Sequence, residues 1–167
     1  MSGKKTEKEL DKALAKALEH DPKLVSWIVS KTKFAGRDVE FRSCRSDYIW
    51  GVHPFVFRNQ ETGVEESTSR ESETDVLLLL NDGDRVVALH IENKLGGGAF
   101  TQLQPEMYPQ RAEHWKNDKK RGGYADFDTV LLAPLVFKER NAEQAALFGC
   151  FISHEDIAAY IPEFKQG

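Results

Sequence analysis

Two apolar runs joined by a short turn constrain the fold of this chain more than any other feature. The first run begins at Asp75 and contains four consecutive leucines up to residue 80, so it has no polar face. Such a run is typical of a strand that is buried on both sides. The turn sequence Asn81-Asp82-Gly83-Asp84 supplies the positive φ values of a tight hairpin, which predicts that residues 85–94 return as an antiparallel partner.

Helical and strand patterns surround this hairpin. Thr6 and Glu9 form a capping box, and Asp21-Pro22 restarts the chain as a second helix. Residues 59–70 are polar without an apolar period and predict a loop. The predicted elements are helices from 6 and from 21, strands at 52–57, 75–80 and 85–94, a helix carrying Leu103 to Trp115, a strand at 129–133, a helix capped by Asn141, a strand at 148–152 and a helix capped by Ser153. The order helix, strand, strand, strand, helix, strand predicts an α/β fold with a mixed central sheet flanked by helices.

The composition sets the class of protein. A chain of 167 residues, 40% hydrophobic and 30% charged, predicts a single globular domain, 1–167. Its predicted parts are N-terminal helices at 1–33, a core motif region at 50–133 and C-terminal helices at 141–167. No apolar run approaches the ~20 residues that span a bilayer, and no signal-peptide pattern is present. Cys44 and Cys150 lack metal-ligand spacing, so free thiols in a reducing cytoplasm are expected.

A charged motif closes the second strand of the hairpin. The chain contains four Asp/Glu-x-Lys triplets, and Glu92-Asn93-Lys94 alone follows an apolar strand. Side chains alternate along a strand, so Glu92 and Lys94 share a face, and antiparallel pairing brings Asp75 to the same edge of the sheet. Two carboxylates and a lysine are costly to bury together unless a cation joins them. The pattern therefore indicates a divalent-ion site suited to phosphodiester hydrolysis.

These motifs, in this order, resemble the PD-(D/E)XK nuclease superfamily. Asp75 and Glu92-Asn93-Lys94 are followed by Gln104 and Tyr108, which form the only Gln-x-x-x-Tyr of the chain and resemble a branch of the superfamily with that motif. The resemblance covers roughly residues 50–133, and the proline of the family name is replaced by Thr74. It implies a restriction-endonuclease-like core, α-β-β-β-α-β, with extra terminal helices.

The resemblance also implies roles for individual residues. Asp75, Glu92 and the main-chain carbonyl of Asn93 are expected to bind Mg²⁺, for which Mn²⁺ can substitute. Lys94 is expected to orient the attacking water or to stabilise developing negative charge. Gln104 and Tyr108 are expected to help hold the substrate and the metal site.

Three further residues have two interpretations each. Glu73 shares the strand parity of Asp75 and is either an extra metal ligand or part of an acidic loop end. Arg111 is either a phosphate contact or a surface ion pair, and His90 is either a core histidine or a base. Pro109 leaves the helix open: either it begins near Tyr108, with Gln104 in a loop, or it kinks.

Nucleic acid, DNA in preference to RNA, is the expected partner. The net charge of −4 argues against a protein that coats nucleic acid, so a local basic surface is required. One candidate surface contains Arg37, Arg42 and Arg45. The other is the Lys119-Lys120-Arg121 cluster, which is equally well explained as a solvated helix end.

The expected function is that of a Mg²⁺-dependent deoxyribonuclease. The alternative is a non-catalytic nucleic-acid-binding or interaction protein that retains the nuclease fold. Intact Asp75, Glu92 and Lys94 argue against that alternative. The chain is also expected to be compatible with a homodimer or with a catalytic role inside a larger complex, and it is not expected to bind a membrane.

Overall fold

A computed structural model describes residues 4–165 of the chain. Its helices and strands in chain order are α1 Glu7–His20, α2 Pro22–Val29, β1 Glu40–Arg58, β2 Glu65–Asp82, β3 Arg85–Asn93, α3 Gln104–His114, β4 Asp126–Ala133, α4 Leu135–Arg140, α5 Ala142–Ala145, β5 Cys150–Ser153 and α6 His154–Ile157. Short 3₁₀ turns occur at Lys119–Arg121 and Pro162–Phe164.

The five strands form one mixed sheet in the order β1-β2-β3-β4-β5. The first three strands are antiparallel neighbours, because tight connections join them. The β3–β4 and β4–β5 pairs are parallel, and α3 lies in the crossover between β3 and β4. The predicted α/β fold with a mixed sheet flanked by helices is therefore confirmed.

The hairpin prediction is also confirmed, and its register brings the motif residues together. Val76 pairs with Ile91, and Asp82 pairs with Arg85 at the turn, where Gly83 has a φ of 61°. Side chains alternate, so the two faces of β2 enter different parts of the core. One face of β2 packs under α1 and α2. On the strand this contact involves Val76, Leu78 and Leu80, and on α1 it involves Leu10, Leu14 and Leu18. The other face, through Leu77 and Leu79, packs with Trp50 and Tyr124.

The predicted loop at residues 59–70 is wrong over its second half. β2 begins at Glu65 and pairs with Arg58 of β1, so the two strands form a long ribbon beyond the part of β2 that pairs with β3. Glu65 to Ser69 are exposed, so this part of the strand has no buried face. An apolar alternation is absent for that reason, and the sequence gives no strand signal there.

Helix ends follow the predicted caps with one exception. Thr6 and Glu9 form the capping box of α1, and Asp21 and Ser153 cap α2 and α6. Asn141 does not cap α5 with its side chain; instead it donates to the carbonyl of Phe137 at the end of α4, which the sequence did not predict. Cys44 and Cys150 are free thiols. Within residues 4–165, no helix is long and apolar enough to cross a membrane.

Candidate active site

The β2–β3 register carries Asp75 to the end of β3. Asp75 precedes Val76, the last β2 residue paired with β3, and therefore lies opposite Glu92. Its Oδ2 accepts a hydrogen bond of 2.9 Å from the backbone N–H of Asn93. The Asp75 side chain thus provides an acceptor for the backbone N–H of Asn93, which lies just beyond the residues of β3 that pair with β2. The two predicted carboxylates therefore meet at the end of the β2–β3 pair that lies opposite the turn, as the hairpin register predicts.

Glu92 is fully enclosed by donors from the elements around it. Gln104 Nε2 donates to Glu92 Oε1 at 2.8 Å, and the Tyr108 hydroxyl donates to Glu92 Oε2. Lys94 Nζ lies 3.2 Å from Oε1, and Lys94 and Glu92 share a face of the strand as predicted. These contacts bring together four of the residues that the sequence motifs selected.

The alternatives for the Gln-x-x-x-Tyr helix are resolved by α3. The helix begins at Gln104 and continues through Pro109. Gln104 and Tyr108 are therefore i,i+4 neighbours, which explains why both reach Glu92. Pro109 lacks the N–H that would complete one hydrogen bond of the helix, and the helix continues despite that loss.

Asn93 is held by two residues that the sequence reasoning missed. Its Nδ2 donates to Asp11 Oδ1 of α1 at 2.9 Å, and its Oδ1 lies 2.7 Å from His154 Nε2 of α6. All three side chains are buried. A signal for Asp11 exists, because it lies at helical spacing from Leu14 and Leu18 on the apolar face of α1. A charged residue on a buried face indicates a partner.

Burial and mutual repulsion change the acidity of these carboxyls. Burial, and then the charge of Glu92, raise the pKa of Asp75 to about 8. Burial, and then the charge of Asp75, raise the pKa of Asp11 to about 8. Burial also raises the pKa of Glu92, although Lys94 and Tyr108 act in the opposite direction. The protein partners of Asp75 and Asp11 therefore stabilise the ionised carboxylates too weakly to offset burial and mutual repulsion.

Arg111 is buried, contrary to its interpretation as a surface ion pair. It is 2% exposed, and its guanidinium carbon lies 4.0 Å from the centre of the Tyr108 ring. Its Nε and Nη2 atoms have no hydrogen-bond partner among the described residues. Its positive charge acts on Glu92 and lowers the pKa of that carboxyl against the effect of burial. Arg111 thus packs against the Tyr108 ring and stabilises the ionised form of Glu92.

The other two ambiguous residues lie outside the cluster. Glu73 is exposed and pairs with Ile49 of β1 on the ribbon. His90 is fully buried, its ring stacks on Trp50 at 5.2 Å, and its Nδ1 lies 3.4 Å from the hydroxyl of Thr74. Burial lowers the pKa of His90 well below its usual value, so it is a neutral core histidine.

The oxygen donors of the cluster fit a hard divalent ion that keeps part of its water shell. Among the described residues, no group of three or more His, Cys, Asp or Glu side chains is placed to hold a metal ion by itself. Mg²⁺ does not require one, since it is commonly bound by one or two carboxylates, waters and substrate phosphates. Within residues 4–165, Asp75 Oδ1 has no hydrogen bond, and Glu92 Oε2 has one, from Tyr108. Both retain lone pairs for a cation.

A cavity of about 740 Å³ adjoins this end of the sheet. Its lining includes Lys4, Lys5, Glu7, the glycines at 96–98 and His154. Glu7 is close enough to Asp75 and Asp11 for its charge to raise the pKa of both. Glu7 and His154 therefore border both the cavity and the residues of the carboxylate cluster.

The fold separates Arg45 from Arg37 and Arg42, the other two residues of the first candidate basic surface. Arg37 forms an ion pair with Asp82, and Arg42 donates to Asn81, both at the hairpin turn. Asn81 is about 20 Å from Asp75 along β2, at ~3.3 Å per residue. Arg37 and Arg42 are therefore remote from the carboxylates. Arg45 lies elsewhere and lines a groove together with Lys120 and Arg121.

Comparison of the chain with protein-family models, curated proteins and solved structures finds no match.

Proposed function

We propose that this protein is a Mg²⁺-dependent nuclease with a restriction-endonuclease-like core, which hydrolyses phosphodiester bonds of DNA in preference to RNA. The observation that carries the proposal is the convergence of Asp75, Glu92 and Lys94 at one end of the β2–β3 strand pair. Each of the three comes from a motif of the superfamily that the sequence resembles. The preference for DNA rests on that resemblance alone.

The metal would be held by Asp75, Glu92 and the main-chain carbonyl of Asn93. A bound divalent ion lowers the pKa of a water molecule and offsets phosphate charge. The raised pKa values of Asp75 and Asp11, which result first from burial and then from repulsion between the carboxyls, support this assignment, because a bound cation would stabilise the ionised forms. Asp11 and His154 fix the side chain of Asn93 and so limit the movement of its backbone.

Lys94 supplies the second catalytic requirement. Hydrolysis joins a water oxygen to phosphorus, breaks the bond to the leaving oxygen and increases negative charge in the transition state. Lys94 is 6% exposed, so its charge is weakly screened by solvent. It would donate to the attacking water or to a phosphoryl oxygen. Gln104 and Tyr108 hold Glu92 in position through its two oxygens.

Metal-titrated cleavage tests the proposal. Wild-type protein is incubated with plasmid, linear and single-stranded DNA and with RNA, across a range of Mg²⁺ or Mn²⁺ concentrations. Asp75→Ala is expected to abolish cleavage and to leave nucleic-acid binding intact or stronger, because negative charge leaves the site. Asp84→Ala, an exposed residue of the hairpin turn, removes the same charge and is expected to cleave normally. Circular dichroism checks that each variant is folded.

The non-catalytic alternative predicts a different outcome. A binding protein would retain affinity for nucleic acid but cleave no substrate at any metal concentration. Cleavage by Asp75→Ala at the wild-type rate would likewise reject the assignment of the site.

A further inference from the structure

A groove of about 450 Å³ runs along the outer edge of β1, the edge strand of the sheet. One wall is formed by consecutive β1 residues from Arg45 to Ile49, and the other by Lys120 and Arg121 of the 3₁₀ turn. The two walls are more than 70 residues apart in the sequence, but a hydrogen bond between Arg121 and Ile49 joins them in space. The fold thus joins two basic segments that the sequence presents separately.

Arg121 connects the two walls of the groove through contacts within the protein. Its Nη1 donates to the carbonyl of Ile49 at 3.0 Å, and its guanidinium carbon lies 4.8 Å from the centre of the Trp115 ring. These contacts fix the turn against β1 and occupy a carbonyl of the strand edge. Within the predicted basic cluster, Arg121 is thus held by contacts inside the protein, whereas Lys119 and Lys120 are exposed.

The groove has uncompensated positive charge. Arg45 and Lys120 are exposed, and neither forms an ion pair within residues 4–165. The acidic residue of the lining, Asp47, is paired with Lys8 of α1 at 3.5 Å. Tyr48, also part of the lining, is half-buried, and its ring centre lies 4.5 Å from that of Trp50. A polyanion with spaced charges complements this surface.

The groove is adjacent to the carboxylate cluster. Tyr48 pairs with Thr74, and Ser46 pairs with Val76, so Asp47 lies beside Asp75 on the neighbouring strand. Adjacent strands are ~4.8 Å apart, which places the groove one strand away from the candidate metal site.

We propose that this groove binds the sugar–phosphate backbone of the nucleic-acid strand that flanks the bond to be cleaved. Arg45 and Lys120 contact its phosphates, and the Tyr48 ring lies against the sugar or base between them. The choice of nucleic acid as the ligand rests on the proposed function, whereas the charge and shape of the groove do not.

Binding by a cleavage-deficient protein tests the groove directly. Fluorescence anisotropy is measured with labelled single-stranded DNA, duplex DNA and single-stranded RNA, using Asp75→Ala as the parent. Adding Arg45→Ala and Lys120→Ala is expected to weaken binding about tenfold at low salt. The salt dependence should fall by ~0.9 in slope per lost duplex contact, or by ~0.7 for a single strand. The matched control adds Lys23→Ala and Lys138→Ala, which remove the same charge from exposed positions outside the groove.

The outcomes separate this inference from the proposed activity. In the wild-type background, Arg45→Ala with Lys120→Ala is expected to raise KM about tenfold and to leave kcat within about twofold, since the groove binds substrate outside the reacting centre. Loss of binding in the groove variant with no cleavage by wild type supports the groove and rejects the nuclease. Unchanged affinity and slope in the groove variant, an equal loss in the control, or no binding by the parent protein to any of the three nucleic acids would overturn the groove. Lys120→Glu is a second test, expected to weaken binding further than Lys120→Ala.

Discussion

The two ends of the β2–β3 hairpin both carry buried or half-buried carboxylates, but only the carboxylate at the turn end is paired with nearby arginines. At the turn end, Asp82 forms ion pairs of 2.8 Å with Arg37 and 3.0 Å with Arg85. Burial raises the pKa of Asp82, but hydrogen bonds from the two arginines outweigh burial and lower it below its usual value. Asp126 of β4 behaves similarly, because Lys33 lies 2.6 Å away.

At the opposite end, the carboxylates are left without sufficient counter-charge. Asp75 and Asp11 accept hydrogen bonds only from Asn93 within the described residues, and the pKa of each is raised to about 8 by burial and by its acidic neighbours. Structural carboxylates are commonly paired within the protein, so a buried group with perturbed acidity is a candidate functional site. This difference supports the proposal that the Asp75 end binds a cation, whereas Asp82 already has its counter-charges within the protein.

The largest expected effect separates the lysines at the two ends. Lys94→Ala should reduce the rate of cleavage ~100–1,000-fold, because losing one electrostatic stabiliser of the transition state costs roughly 3–4 kcal/mol. Lys33→Ala, which breaks the ion pair with Asp126, should leave the rate unchanged. Single-turnover cleavage at saturating Mg²⁺ measures both. Equal rates for Lys94→Ala and wild type would remove Lys94 from the mechanism.

The pH dependence of stability should have opposite signs at the two ends. A carboxyl with a raised pKa binds its proton more tightly in the folded state, so the stability due to Asp75 is complete below pH 3.8 and is lost as the pH rises to about 8. For Asp82, whose pKa is lowered, stability is present at neutral pH and is lost on acidification.

Urea unfolding of the metal-free protein between pH 4 and pH 8.5 measures this difference. Asp75→Asn should lose less stability than wild type as the pH rises. Asp82→Asn should be less stable than wild type at neutral pH. Parallel pH profiles for wild type and Asp75→Asn would contradict the electrostatic contrast.

A smaller effect is expected from Tyr108→Phe. The substitution removes the hydroxyl that donates to Glu92 Oε2 and leaves a buried carboxylate with fewer donors. It should destabilise the metal-free protein by about 1–3 kcal/mol. Mg²⁺ should recover part of that loss, since the ion can take the position left by the donor. Denaturant unfolding with and without Mg²⁺ provides the measurement, and an unchanged midpoint would show that the hydroxyl contributes nothing.

Much of this site is predictable from sequence because local signals determine it. The Asp82-Gly83 turn sets the hairpin register, and that register alone brings Asp75 opposite Glu92. The Gln104 and Tyr108 spacing is likewise local, although Pro109 obscures it because proline usually ends a helix. These residues belong to one continuous segment, so no long-range packing is needed to predict their proximity.

The missing parts depend on long-range packing. Asp11 and His154 reach Asn93 from helices at opposite ends of the described chain, and no local pattern relates the three. The groove similarly requires Arg45 of an edge strand to meet Lys120 of a turn after α3. The exposed first half of β2 has no alternation to reveal it. Tertiary contacts, rather than propensity or periodicity, determine these features.

Calorimetric titration with Mg²⁺ at pH 7, in buffers of different ionisation enthalpy, tests the central claim most directly. Because the pKa of Asp75 is about 8, its carboxyl is mostly protonated at pH 7, and binding of the ion should release protons. Wild type and Asp82→Ala should therefore bind Mg²⁺ with a heat that varies with the buffer, and Asp75→Ala should not bind. Binding that is equal in wild type and Asp75→Ala, or no binding by wild type in any buffer, would contradict the claim that this end of the sheet is a cation site.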